Sequence, residues 1–366
     1  MKTKTPLIAT AMAAALLSPA AREAQGCSTF VLRDGRGILY GKNFDFFMHG
    51  GYVMTNRRGL AKTALVYPPQ TPVSWVSKYG SVTFNQVGQE FPYGGMNEAG
   101  LVVENMWLRT AKYPAPDERA AISELQWIQY QLDNAASVAE VLASDSRIRI
   151  EPSSKPIHFL AADQSGDVAT IEFLDGRMAV HRGADLRVKV LTNNTYDESL
   201  AYLELHDGFG GRKPVARTHE SLDRFATIAA MLRERRGPRG EKAVDRAFEI
   251  LDAAAQGDQT AWSVVYDLAR QRILFKSVVN RSVRTLKMSE FDFECAARSR
   301  ALAVDAPGQG DVGRQSEELT TDLNRALVRS TFARYREAKF ADVPESDQEF
   351  LARYPATLKC QPAASR

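Results

Sequence analysis

The sequence predicts an α+β protein in which two antiparallel sheets lie between helical layers. Three observations point there. The element order runs strands, helices, strands, helices, strands. Hairpin-length turns separate the strands, which indicates antiparallel pairing. Strands and helices do not alternate one for one, as they would in a parallel sheet.

The elements follow in order. Residues 1–26 read as a signal peptide: Lys2 and Lys4 give a positive start, 7–17 an apolar stretch, and Ala24 and Gly26 the small residues before a cleavage site. The apolar stretch is shorter than the roughly 20 residues a membrane-spanning helix needs. Cleavage after Gly26 makes Cys27 the first residue of a periplasmic or secreted protein. Strands are expected over 28–32 and 38–46, joined by an Asp34-Gly35 turn, and again at 81–84. A turn at 94–100 feeds an apolar run at 101–103. Ile122, Leu125, Ile128 and Leu132 are spaced for one face of a helix. Ser137 and Glu140 make a capping box for a short helix to residue 143. Strands resume at 157–162, 168–174, 177–180 and 188–191. Helices over 221–235 and 241–255 lead to strands at 262–268, 272–277 and 284–287. Residues 27–298 are expected to form one domain. Residues 299–366 read as a linker and a C-terminal helical appendage, with Leu319, Leu323 and Leu327 on one helix face. Gly308, Gly310 and Gly313 match a dinucleotide fingerprint in spacing only, since no strand–helix unit surrounds them.

Composition excludes several partners. The 366 residues carry 47 basic and 44 acidic side chains, and without 1–26 the balance is 44 to 43. Nothing here suggests nucleic acid or an acidic membrane surface. No paired-cysteine or HExxH spacing marks a metal site, and no cofactor is implied. Of three cysteines, Cys295 and Cys360 are free to pair in an oxidising compartment, leaving Cys27 as the odd thiol; two unpaired buried thiols are the alternative.

Cys27 carries the chemistry. An N-terminal cysteine brings its own base, because an α-amine titrates near pH 7.7–8.0, close to where a general base works best. The rival reading is a lipoprotein, in which the same cysteine is lipidated and the amine capped. Ala24 stands where lipoprotein signals usually carry leucine. A papain-like pair with one of the five histidines (His49, His158, His181, His206, His219) lacks any diagnostic flanking sequence.

The run Cys27-Ser28-Thr29-Phe30 with Gly41-Lys42-Asn43-Phe44-Asp45-Phe46 resembles the choloylglycine hydrolase and penicillin V acylase family of N-terminal-nucleophile enzymes. Gly95-Met96-Asn97-Glu98-Ala99-Gly100-Leu101, Val190-Leu191-Thr192-Asn193 and Ser221-Leu222-Asp223-Arg224-Phe225 extend the resemblance in the family's order over about residues 27–293. It implies a four-layer αββα sandwich and hydrolysis of linear, non-peptide amides through a thioester. It implies Cys27 as nucleophile, Asp45 orienting its amine, Asn193 as an oxyanion donor and Arg224 as a cation lining the site. Lys42 stands where the family usually has arginine, and keeps the charge without the planar fork.

Trp107 falls where bile-salt hydrolases carry asparagine; the resemblance makes the backbone N–H there the second oxyanion donor. An indole favours a flat or aromatic acyl group and weighs against bile salts. Trp107-Leu108 looks most like the Gram-negative branch, which includes penicillin V and acyl-homoserine-lactone acylases. The expected partner is a small N-acyl amide, with a homo-oligomer possible from the family's habit. Acyl transfer by the same nucleophile is the alternative enzyme outcome.

Overall fold

The computed structural model describes residues 26–35, 37–233 and 240–361. The segment expected to be a signal peptide, Gly26 apart, lies outside the described residues, as does the end of the helix expected to reach 235.

Two large sheets form the centre. The seven-stranded sheet runs in the order Val190–Leu191, Ser28–Arg33, Ile38–Asp45, Thr260–Asp267, Arg272–Ser277, Arg284–Lys287, Gly310–Asp311. Only its last pairing is parallel. The nine-stranded sheet is antiparallel throughout. Its order is Arg177–Arg182, Val168–Leu174, Ile157–Ala162, Val102–Trp107, Gly94–Asn97, Ser81–Asn85, Tyr52–Asn56, Arg300–Ala303, Glu317–Glu318. Helices Ser221–Arg233 and Glu241–Ala253 cover the first sheet, and helix Glu124–Asn134 the second. The αββα sandwich follows.

Burial matches this layering. One core lies between the sheets and under the paired helices, including Phe30, Tyr40, Phe84, Met96, Phe225, Phe248 and Trp262. A second lies under helix Glu124–Asn134, around Val103, Trp127, Ile128, Leu132 and Phe159. Strands covered on both faces, such as Thr260–Asp267 in the first core, are buried at every residue, which is why they read as apolar runs more than as clean alternation.

Two of the expected elements take a different form. Gly94–Asn97 is a strand, although its glycines signal a turn. A Cβ on Gly94 would lie 2.1 Å from the Glu104 carboxylate, and one on Gly95 2.4 Å from the Val82 carbonyl, so glycine here permits close strand approach. The turn proper is at Gly100, with φ +81°. Ile122 belongs to the short strand Ala120–Ile122, which pairs in parallel with Ile148–Ile150, and the helix starts after it.

The boundary expected at residue 298 falls inside the nine-stranded sheet: Arg300–Ala303 pairs with Tyr52–Asn56. The tail is therefore part of the sandwich rim. Its helices, Thr321–Glu337 and Glu345–Thr357, pack on each other. The buried face of the first is Asn324, Val328, Thr331, Phe332 and Tyr335, while Leu323 and Leu327 are only half-buried. Two of those buried positions are polar and hydrogen-bonded, which hides the face from an apolar count. Thr331 Oγ1 donates to the Gln86 carbonyl at 2.6 Å, and the Asn324 amide donates to the Ala352 carbonyl and accepts from the Gln89 N–H, both at 2.9 Å. A Cys295–Cys360 disulfide fastens the end of the tail and leaves Cys27 as the free thiol.

Candidate active site

The first hairpin sets the site. Strands Ser28–Arg33 and Ile38–Asp45 pair in register from Ser28↔Asn43 to Arg33↔Ile38. Gly41 faces Phe30, whose ring would sit 2.5 Å from any Cβ there. This register brings Cys27, just ahead of one strand, against Asp45 at the end of the other.

Cys27 is 5% exposed. Its Sγ lies 3.9 Å from the Asp45 carbonyl. Burial pushes the thiol above its ordinary range, Asp45 adds to that, and the charges of Lys42 and Arg224 oppose it. Among the described residues no histidine bonds to it. His158, for example, is engaged by Glu172 at 3.0 Å and the Thr192 carbonyl at 2.7 Å.

The Asp45 carboxylate is buried and hydrogen-bonded at both oxygens. It accepts from Thr260 Oγ1 at 2.5 Å and Gln256 Nε2 at 2.9 Å, with Arg224 Nη1 at 3.8 Å. Burial raises its pKa, while Arg224, Thr260, Gln256 and Lys42 pull it down. The same Gln256 amide donates to the Gly26 carbonyl at 2.6 Å. Asp45 is thus one amide away from the peptide that joins Gly26 to Cys27.

Arg224, in the first turn of helix Ser221–Arg233, is the hub. Its Nε donates to the His219 carbonyl at 3.0 Å, Nη1 to the Cys27 carbonyl at 2.8 Å and to Ser28 Oγ, and Nη2 to Asn193 Oδ1 at 2.8 Å. A guanidinium only donates, so the Asn193 atom facing it is the oxygen. The Asn193 Nδ2 must then point away, and it donates to the Trp107 carbonyl at 2.9 Å. The Asn193 backbone N–H is held by Ser221 Oγ at 2.8 Å, so this asparagine is fixed by the helix start and does not close a turn of its own.

Trp107 ends its strand opposite Ile157. The Leu108 N–H bonds to the Pro156 carbonyl at 2.9 Å, which makes Trp107 and Ile157 a non-hydrogen-bonded pair. The Trp107 N–H and C=O therefore face the other side. There the adjoining strand ends its pairing at Gly94↔Glu104, so Trp107 overhangs it and meets Asn193.

Lys42 is placed differently from the other site residues. It is fully buried, 3.3 Å from Glu104 Oε2, and donates to the Asn105 carbonyl. Glu104 accepts from Tyr266 Oη at 2.5 Å. Lys42 acts on Cys27 through space, with its charge largely matched by Glu104.

A largely apolar pocket opens from Cys27 and Asp45. Phe44, Phe46, Tyr93, Trp107, Leu125, Ile157, Phe332, Tyr335 and Phe340 line it, together with Asn105, Glu124 and Lys155. Burial raises the Glu124 pKa and lowers that of Lys155. Among the described residues no group of three His, Cys, Asp or Glu is placed to hold a metal ion, and no helix is long and apolar enough to cross a membrane.

Comparison with known proteins fits this geometry. The family model for linear amide C–N hydrolases, choloylglycine hydrolase family, matches residues 27–232, starting at Cys27. The chain belongs to the choloylglycine hydrolase family. As a member, it is a hydrolase acting on carbon–nitrogen bonds other than peptide bonds, in linear amides. Penicillin V acylase from Pectobacterium atrosepticum is 25% identical over 284 residues, covering 66% of this chain and 75% of the relative. The structure of penicillin V acylase from Agrobacterium tumefaciens superposes with a TM-score of 0.69 at 26% identity, covering 80% of this chain and 98% of that one. A conjugated bile acid hydrolase from Clostridium perfringens shares the fold, with a TM-score of 0.62 at 16% identity, over 78% and 98% of the two chains.

Cys27, Asp45, Asn193, Arg224 and the Trp107 backbone meet in one connected hydrogen-bonded cluster. Sequence reasoning missed Gln256, Thr260, Ser221 and Glu104, and also the aromatic wall from the tail. Gln256 lies in the loop after a helix, where polar residues carry no signal, and Thr260 opens the strand that follows. Glu104 is hidden inside an apolar strand.

Proposed function

We propose that the mature protein starts at Cys27, is exported to the periplasm or beyond, and hydrolyses N-acylated small molecules through a thioester on Cys27. The Arg224 hub carries this reading: one guanidinium ties the Cys27 carbonyl, Ser28 and Asn193 together beside Asp45. The freed α-amine takes the Cys27 proton, and Sγ attacks the acyl carbon. Asn193 Nδ2 and the Trp107 N–H hold the oxyanion, a donor type worth roughly 10²–10³ in rate. The C–N bond then breaks with the proton delivered to the leaving nitrogen, and water resolves the thioester. Asp45 lies where it can hold the new amine. The Cys295–Cys360 disulfide agrees with an oxidising compartment. The buried position of Cys27 within a pocket speaks against a lipid anchor on its sulfur, which would have to reach a bilayer.

Penicillin V and acyl-homoserine lactones with short acyl chains are the substrates of choice, since both present a short or flat acyl group to an aromatic pocket. The test is intact mass of the secreted protein, followed by turnover of an N-acyl panel with acid-quench mass analysis. A chain starting at unmodified Cys27, with an acyl adduct that Cys27→Ala abolishes, is expected. A capped amine, or unchanged turnover in Cys27→Ala, would refute the mechanism. Added amine acceptors separate hydrolysis from acyl transfer.

A further inference from the structure

The pocket has a wall that the family match does not include. Phe332, Tyr335 and Phe340 line it, although the matched region ends at residue 232. They come from the helix Thr321–Glu337 and the turn after it. Tyr335 is pinned from the sheet side, its hydroxyl 2.6 Å from that of Tyr93. Phe340 follows Lys339, which has φ +54°, and its N–H bonds back to the Tyr335 carbonyl at 2.8 Å. The backbone of this turn is therefore held.

Phe340 spans the pocket. Its ring lies 5.6 Å from Phe46 and 5.4 Å from Phe47, which continue the strand bearing Asp45. On the opposite side it lies 6.4 Å from Trp107, and Lys155 Nζ stands 5.1 Å from its centroid. It also packs on Tyr335 at 4.8 Å. One side chain thus touches both jaws of a cavity whose base holds Cys27.

We propose that Phe340 is the specificity-determining residue for the acyl group: it bounds the pocket so that short or flat acyl groups fit and long flexible chains do not. This rests on the amidase reading above. Removing the ring opens space in a largely apolar enclosure, and each further methylene that enters against its apolar wall is worth about a fourfold gain. Three such methylenes predict a change of roughly 60-fold in the preference for long over short acyl groups.

The experiment uses the mature enzyme and a series of amides sharing one amine, with phenoxyacetyl, butanoyl, octanoyl and decanoyl groups. Phe340→Ala is expected to raise the kcat/KM ratio of decanoyl to phenoxyacetyl amide at least tenfold, and Phe340→Leu to raise it less. Phe340→Trp should lower it. A merely structural role would depress all substrates alike, so the ratio separates the two. Circular dichroism melting tells whether Phe340→Ala folds; if it does not, Phe340→Leu and Phe340→Trp decide. An unchanged ratio in folded variants that still turn over both amides would overturn this proposal alone. No turnover of any amide by the wild-type enzyme would overturn the amidase reading and this proposal with it.

Discussion

Asn193→Ala separates the chemistry of the site from its architecture. The Asn193 amide makes two side-chain contacts, accepting from Arg224 and donating to Trp107, at 2.8 and 2.9 Å. Removing it leaves Arg224 Nη2 without that acceptor in a side chain that is 2% exposed. A buried donor so stranded costs about 1–3 kcal/mol. In a domain of this size that is a fall in Tm of roughly 1–4 °C. Loss of an oxyanion donor costs more, about 2.7–4 kcal/mol in the barrier, or roughly 10²–10³ in rate. The variant is therefore expected to fold, to keep a reactive thiol, and to acylate about 10²–10³ more slowly. Single-turnover quench-flow with a saturating N-acyl amide reads the acylation step directly, and calorimetry reads the Tm. Acylation within tenfold of wild type in a folded variant would refute the oxyanion assignment and leave Asn193 as a strut between Arg224 and Trp107.

Three other perturbations follow from the same geometry. Lys42→Met strips the partner from buried Glu104 and should destabilise by about 3–5 kcal/mol in urea unfolding; adding Glu104→Gln should recover most of it, and no recovery would mean that the pair is not the coupled unit. Replacing Cys295 and Cys360 together by serine opens a loop of 65 residues, costing about 4 kcal/mol; alkylation of Cys27 in the native protein should be unaffected, and a denaturation midpoint equal to wild type would count against the bond. In the full-length chain the thiol is held above its ordinary pKa by burial. Its iodoacetamide reaction should therefore climb only at pH values beyond those that activate free cysteine; removing a positive charge at Lys42 should push the profile higher still, and a shift downward would contradict the electrostatics.

Much of the fold was legible because local signals agreed with tertiary burial. Strands such as Ile157–Ala162, Val168–Leu174 and Arg272–Ser277 carry β-branched or aromatic runs between turn residues, and they form over the residues expected. The site was legible where nucleophile and motif lie close in sequence, as with Cys27 and Asp45. It was not legible where a partner is supplied from far along the chain. Gln256 reaches Asp45 across 211 positions, and Phe340 reaches Phe46 and Trp107 from the tail. Neither residue has a pattern of its own, because its role is defined by what the sandwich brings beside it. Glycine misled for a related reason: at 94 and 95 it serves inter-strand contact, a use that leaves the same mark as a bend.

The Gln256 amide, shared between the Gly26 carbonyl and the Asp45 carboxylate, bears on how this protein would be switched on. With Gly26 still joined to Cys27, the carboxylate is already buried and aimed, and the neighbouring backbone is already clamped. Scission of a single bond would then expose a nitrogen inside a finished cradle, with no segment left to order and no conformational entropy left to surrender at that moment.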